Sequence, residues 1–203
     1  MLVPVELPFG KTIFQNKNGH PITSDSAFLA ETITKQITHK KINLLELGSG
    51  NGIISIMLSH SHPEWKILGI EIQKHLVELS RENATRSDTT PIFETIDLRE
   101  FDATQKFDLI ISNPPYYPKE TGRISQIKER AISRHEIACN MLDVMKSIKR
   151  NLINDGSAFI LYPQNRMNDI DNFAKKVDLK ARKKFVLESE EKKKRVIVEL
   201  CNA

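Results

Sequence analysis

Asn113-Pro114-Pro115-Tyr116 carries the densest chemical information in this chain of 203 residues. It follows Phe107-Asp108-Leu109-Ile110-Ile111-Ser112, an apolar run that reads as a buried strand, so it falls at a strand end, where open α/β sheets place their sites. Two successive prolines remove two backbone donors and stiffen the turn. The Asn113 amide oxygen and the Pro114 carbonyl then remain as two acceptors for one amino group, with Tyr116 presenting a flat face beside them. An exocyclic amine on adenine, or a carboxamide, is a poor nucleophile because its lone pair is delocalised. Two acceptors aimed at its N–H groups favour a tetrahedral nitrogen and direct the lone pair at an electrophile. Stacking of a base on Tyr116 would add roughly 1–3 kcal/mol. The plainer alternative is that the segment only terminates a strand.

A second constellation lies upstream. Leu44-Leu45-Glu46-Leu47-Gly48-Ser49-Gly50-Asn51-Gly52 reads as a strand entering a glycine turn that opens a helix. Glycines permit positive φ and close approach of a ligand to the backbone. The dinucleotide fingerprint needs a glycine where Ile53 stands, and no Gly-Lys-Ser/Thr follows, so a nicotinamide cofactor and a nucleoside triphosphate are both disfavoured. Glu71 ends the next strand about twenty residues after the glycines, where an acidic residue accepts ribose hydroxyls. Asp97 ends the third strand and is placed to accept from an adenine amino group, with Ile72 and Leu98 sandwiching the base. Taken singly, the glycine turn also suits a plain strand–helix connection and Asp97 a helix cap or turn. The ordered set, with Glu71, Asp97 and Asn113 at successive strand ends, points to a nucleoside-bearing cofactor.

These residues require a particular frame. The apolar patterns predict strands over 42–47, 65–71, 91–96, 107–112 and 157–162, and helices over 52–60, 73–86, 136–153 and 164–177. Repeated β-α units imply a mostly parallel sheet covered on both faces. Residues 184–187 and 195–201 read as two closing strands joined by a charged turn, too short for a parallel crossover and so antiparallel. Residues 1–40 form an N-terminal segment packing on the core, and 41–203 form the single domain.

Hydrophobic residues make up 39% of the chain, enough for one sizeable core, and the net charge of +4 permits a polyanionic partner. No apolar stretch approaches the roughly 18 residues of a membrane span, and the N-terminus lacks a basic region followed by an apolar one. Cys139 and Cys201 have no metal-like spacing, nor do the six histidines, so no metal site is expected; the two cysteines suit a reducing cytoplasm as small core residues.

The Glu-x-Gly-x-Gly-x-Gly turn from Glu46 to Gly52, with Glu71, Asp97 and Asn-Pro-Pro-Tyr, resembles the class I S-adenosylmethionine-dependent methyltransferases, and specifically their amino-methylating branch. The resemblance implies an α/β, Rossmann-like sheet of about seven strands with the last antiparallel. It implies S-adenosyl-L-methionine held by Glu46, Gly48, Ser49, Gly50, Gly52, Glu71, Ile72, Asp97 and Leu98, and catalysis by Asn113, Pro114, Pro115 and Tyr116. Residues 14–30 and Arg134-His135-Glu136 are similar to bacterial tRNA(Val) adenine-N6 methyltransferases, which implies transfer to the N6 of an adenosine in tRNA by a cytoplasmic monomer or weak dimer.

Related families share the motif. Release-factor glutamine methyltransferases usually add a helical N-terminal domain, for which forty residues is too little. Ribosomal RNA guanine-N2 methyltransferases often carry an extra domain, and DNA adenine methyltransferases a recognition domain. A cofactor-binding RNA adaptor without transfer is the non-enzymatic reading. Ten Lys/Arg against four acids between residues 175 and 195 favour RNA. So do Lys119, Arg123, Arg130, Arg134 and His135 beyond the active turn, with Tyr117 a second stacking surface. A solvated charged face is the plain reading of Lys192-Lys193-Lys194.

Overall fold

The computed structural model describes residues 1–17, 24–38, 41–116, 139–188 and 194–203. Its centre is a seven-stranded sheet built from β3 (Asn43–Leu47), β4 (Lys66–Glu71), β5 (Ile92–Thr95), β6 (Phe107–Ser112), β7 (Leu152–Pro163), β8 (Leu179–Glu188) and β9 (Lys194–Asn202), in the order β5-β4-β3-β6-β7-β9-β8. The first five of these pair in parallel, while β9 runs antiparallel to both β7 and β8. The α/β sheet of seven strands with an antiparallel last strand thus stands as expected. Leu44, Leu45, Leu47, Ile110, Ile111, Phe159, Ile160 and Leu161 are fully buried, the continuous apolar pattern of strands covered on both faces.

The strand order reverses at β3. From β3 the chain moves outward through α2 (Ile53–Ser61) and α3 (Lys74–Arg86), then returns to β6 and moves the other way through α4 (Met141–Asn151). Right-handed crossovers in opposite directions place these helices on opposite faces and leave a crevice beyond the carboxyl ends of β3 and β6. A hairpin of β1 (Leu2–Glu6) and β2 (Thr12–Asn16) and the helix α1 (Ser24–Gln36) precede the sheet. Leu29 and Ile33 of α1 and Ile13 of β2 are wholly buried in the same core.

Several boundaries differ from the sequence expectation. The α4 helix starts at Met141 rather than 136, because Asn140 and Asp143 form a reciprocal capping box with both bonds at 3.0 Å. The β7 strand starts at Leu152, ahead of 157, with an irregular register between Phe107 and Leu109 of β6. A short 3-10 turn, Gln164–Arg166, precedes α5 (Met167–Lys176), and β8 is ten residues long rather than four. Among the described residues no helix is long and apolar enough to cross a membrane.

Candidate active site

The crevice is floored by the turn after β3. Gly48, Gly50 and Gly52 all have positive φ, at 73°, 55° and 85°. The amides of Gly48 and Ser49 donate to the Ile70 carbonyl at 2.9 and 3.0 Å, which folds the turn back over β4. A Cβ at Gly48 or Gly50 would meet nothing within 4 Å, so the backbone there faces open space. Gly52 differs: a Cβ there would lie 2.8 Å from Phe93 Cζ and 2.9 Å from Ser80 Cβ, so its absence permits α2 to pack against β5 and α3.

Two carboxylates close the floor. Glu46 is 1% exposed, and its Oε2 accepts from the Ser55 amide at 3.2 Å and from the Ser55 hydroxyl. Burial pushes its carboxyl from an ordinary 4.5 to about 8, against the opposing pull of the Ser55 bonds, with the charge of Glu71 adding to the rise. Glu71 accepts from the Gly50 amide at 3.2 Å and from the Gln73 amide at 2.9 Å, and burial raises its carboxyl too. Asp97 lies on the cleft wall. The Arg99 guanidinium holds its carboxyl below the usual range, with bonds at 3.0 and 2.9 Å from Arg99 Nε. Arg150 of α4 donates to the carbonyls of Leu98, Arg99 and Phe101, fixing the turn that carries Leu98.

Glu46, Gly48, Ser49, Gly50, Glu71, Ile72, Asp97, Leu98, Asn113, Pro114 and Pro115 all line one cleft, whose volume open to the centre of a water-sized sphere is about 150 Å³. That is room for on the order of ten waters. Ile72, an apolar side chain left 41% exposed, stands on the wall opposite Leu98, as a pair able to sandwich a flat ring. The Asn113 side-chain oxygen is buried with no hydrogen-bond partner. A buried acceptor left unmatched is rare in folded proteins and marks a place where a donor arrives. Next to it, Ser112 Oγ donates to the Leu47 carbonyl at 2.8 Å, fastening the end of β6 to the end of β3. Open glycine backbone, two carboxylates, an apolar sandwich and an orphaned acceptor together fit a cofactor with a ribose, an adenine and a reactive group facing Asn113.

Tyr116 is placed otherwise than expected for a stacking face. It is 7% exposed and does not line the cleft; its hydroxyl donates to Asp25 Oδ2 at 3.2 Å. Gly52 lies beneath the cleft rather than on its lining. Tyr117, Lys119, Arg123, Arg130, Arg134 and His135 lie outside the described residues. Cys139, expected as a core residue, borders the cleft, while Cys201 is buried.

The structure adds residues that the strand-end pattern did not reach. Gln15 and Asn16 of β2 and Ser26 of α1 line the cleft. Asn83 of α3 is fully buried, exchanges two bonds with the Phe14 backbone at 2.8 and 2.9 Å, and donates to the Asn51 carbonyl at 3.0 Å. It therefore rivets the β1–β2 hairpin to the glycine turn. A signal existed: Asn83 is a polar residue on the buried stripe of α3, beside Leu76, Leu79 and Ser80.

Comparison with known proteins gives a consistent picture. The methyltransferase small domain family matches residues 19–153. A tRNA1(Val) (adenine(37)-N6)-methyltransferase of Bacteroides thetaiotaomicron is 25% identical over 84% of this chain and 71% of its own length. A release factor glutamine methyltransferase of Streptococcus pneumoniae is 29% identical over 45% of this chain and 33% of its own length. The chain spans about half the length of several other curated tRNA1(Val) relatives that it matches. A methyltransferase from Pyrococcus furiosus has the same fold, with a TM-score of 0.70 at 16% identity, covering 97% of this chain and 91% of that one.

Proposed function

Because the chain belongs to the methyltransferase small domain family of S-adenosylmethionine-dependent enzymes, we propose that it methylates the exocyclic N6 of an adenosine in tRNA. The observation that carries this reading is the buried, unpartnered Asn113 Oδ1 at the mouth of a cleft shaped for a nucleoside cofactor. The printed names of the tRNA1(Val) relatives direct the choice of acceptor.

Glu71 holds the ribose hydroxyls, Ile72 and Leu98 flank the adenine, Asp97 accepts from its amino group, and the open backbone of Gly48 and Gly50 admits the remainder. When bound, the cofactor supplies an electrophilic methyl on a sulfonium. Asn113 Oδ1 and the Pro114 carbonyl accept the two N–H groups of the acceptor amine. That draws its lone pair out of conjugation and turns it into the cleft. The prolines keep both acceptors aimed without reorganisation. No strong base is required beforehand, since the nitrogen sheds its proton to water after transfer.

A side-chain carboxamide presents the same planar amino group, and the glutamine methyltransferase relative favours it as the second reading. The test is to incubate the protein with radiolabelled cofactor and, separately, total tRNA and total protein, then digest the labelled tRNA to nucleosides. N6-methyladenosine as the labelled nucleoside supports the proposal; label confined to protein rejects it.

A further inference from the structure

Tyr116 ends the amine-holding turn, and three separate elements grip it. Its hydroxyl donates to Asp25 Oδ2 in the first turn of α1 at 3.2 Å. The same oxygen accepts from Arg195 Nε, at the start of β9, at 3.0 Å. The Arg195 guanidinium carbon lies 5.1 Å from the centre of the Tyr116 ring. From below, Arg166 Nη1 donates to the Tyr116 carbonyl at 2.7 Å, and Asp169 orients Arg166 through a 2.6 Å bond to its Nε. Tyr162 meets the ring edge-on at 6.3 Å between centroids.

The Asp25–Arg195 pair is the informative part. Their side chains are only 11% and 14% exposed. A nearly buried ion pair adds little net stability over an apolar replacement, so its retention suggests an orienting role. What it orients is the tyrosine. Asn113 is fastened at its other side by the Ser112–Leu47 bond. Only two prolines of fixed φ separate Asn113 from Tyr116, so a displacement at the tyrosine passes to the acceptors with little loss.

We propose that Asp25, Arg195 and Arg166 are positioning residues for methyl transfer, and that Tyr116 works through its hydroxyl and carbonyl as the anchor of the amine-holding turn rather than as a platform for the acceptor ring. The inference rests on the reading above, in which Asn113 and Pro114 grip the amine. It makes the hydroxyl group the decisive atom. A platform needs only the ring, which phenylalanine keeps; an anchor needs the oxygen, which phenylalanine lacks. It also makes α1 and β9, which lie outside the cofactor-holding strands β3 to β5, part of the catalytic geometry.

The experiment compares Tyr116→Phe, Asp25→Asn, the double variant and Arg195→Lys with the full-length wild type, reading kcat and KM for the labelled acceptor, cofactor Kd and melting temperature. For Tyr116→Phe and Asp25→Asn, kcat is expected to fall roughly tenfold to a hundredfold, as for a displacement of about 1 Å, with cofactor Kd held within about threefold. The double variant should lose no more than the worse single one, because both cut the same tether. Arg195→Lys keeps the charge and should recover part of the loss. A Tyr116→Phe enzyme with kcat within about twofold of wild type, alongside a dead Tyr116→Ala enzyme, would restore the platform role and overturn the anchor. If Tyr116→Phe melts far lower, Asp25→Asn and Arg195→Lys decide on the same criteria. If all three lose kcat and cofactor affinity together, the positioning role is overturned in favour of a structural one. Running wild type on total tRNA and on total protein separates the two claims. Label in protein alone rejects the tRNA reading yet leaves the anchor measurable, and label in neither rejects both.

Discussion

The amide of Gly50 donates to Glu71 Oε2 at 3.2 Å, so the glycine turn and the end of β4 move as one piece. The carboxylate has two tasks: it braces the turn, and its remaining lone pairs face the cleft. Glu71→Gln separates them, because an amide oxygen still accepts from Gly50 but binds ribose hydroxyls without charge. Loss of charge assistance on two hydroxyl bonds is expected to weaken cofactor binding by roughly 1.5–3 kcal/mol, and calorimetric titration reads it directly. Burial already raises the Glu71 carboxyl, so the empty protein should melt no lower than wild type near neutral pH.

Glu46 sets a pH dependence of stability. Its carboxyl stands at about 8 in the folded chain against an ordinary 4.5. Below the lower value it is protonated folded and unfolded alike, and its burial carries no ionic penalty. Between the two, the unfolded chain releases the proton while the fold retains it, so stability falls as pH rises and levels off above about 8. The cofactor-free protein should therefore lose on the order of a few kcal/mol across this window from Glu46 alone. Glu46→Gln should match wild type near pH 4 and exceed it near pH 8.5 in urea melts. A wild type that gains stability over that range would contradict the sign.

How much of this was legible beforehand depends on the range of the interaction. The strands and the order of their ends were readable because buried parallel strands demand continuous apolar runs, and each site residue of the cofactor cleft sits just after one. Glu71, Asp97 and Asn113 followed from position alone. The Tyr116 environment did not, since Asp25, Arg166 and Arg195 are 91, 50 and 79 residues away in sequence and meet only when β9 inserts beside β7. The first helix and the hairpin were also missed, because α1 carries Asp25, Ser26 and Thr32 on its buried side and so shows a weak apolar stripe. Asn140 was read as helix interior, though its capping box with Asp143 marks a start.

Asn113→Ala tests the division of labour between cofactor and acceptor. The oxygen it removes is buried and unpartnered, so its loss should leave the melting temperature equal or slightly higher. Cofactor affinity should stay within about threefold, while methyl transfer should fall by at least about a hundredfold, as when one preorganised polar group is removed from a reacting centre. Single-turnover transfer with cofactor saturating separates the two effects. An equal loss in both would place Asn113 in cofactor binding instead.

Gly48 and Gly52 share a left-handed backbone but differ in what surrounds them, and the same substitution should divide them. At Gly52, alanine adds strain at a φ of 85° and drives a methyl to 2.8 Å from Phe93 and 2.9 Å from Ser80, both of which are buried. The ring belongs to β5 and the serine to α3, so relief requires the sheet and a helix to part. A loss of roughly 2–4 kcal/mol in unfolding free energy is expected, from overpacking added to conformational strain. At Gly48 the methyl enters open space, so only strain of about 1–2 kcal/mol applies to the empty protein. That methyl stands at the turn on the cleft, where the cofactor backbone must pass. Gly48→Ala should therefore lower cofactor affinity more than stability, and Gly52→Ala should do the reverse. Urea melts of the cofactor-free variants, set beside their titrations, read both quantities on the same samples. Indistinguishable stability losses would mean that the Phe93–Ser80 wall yields, and that the third glycine is there for the turn alone.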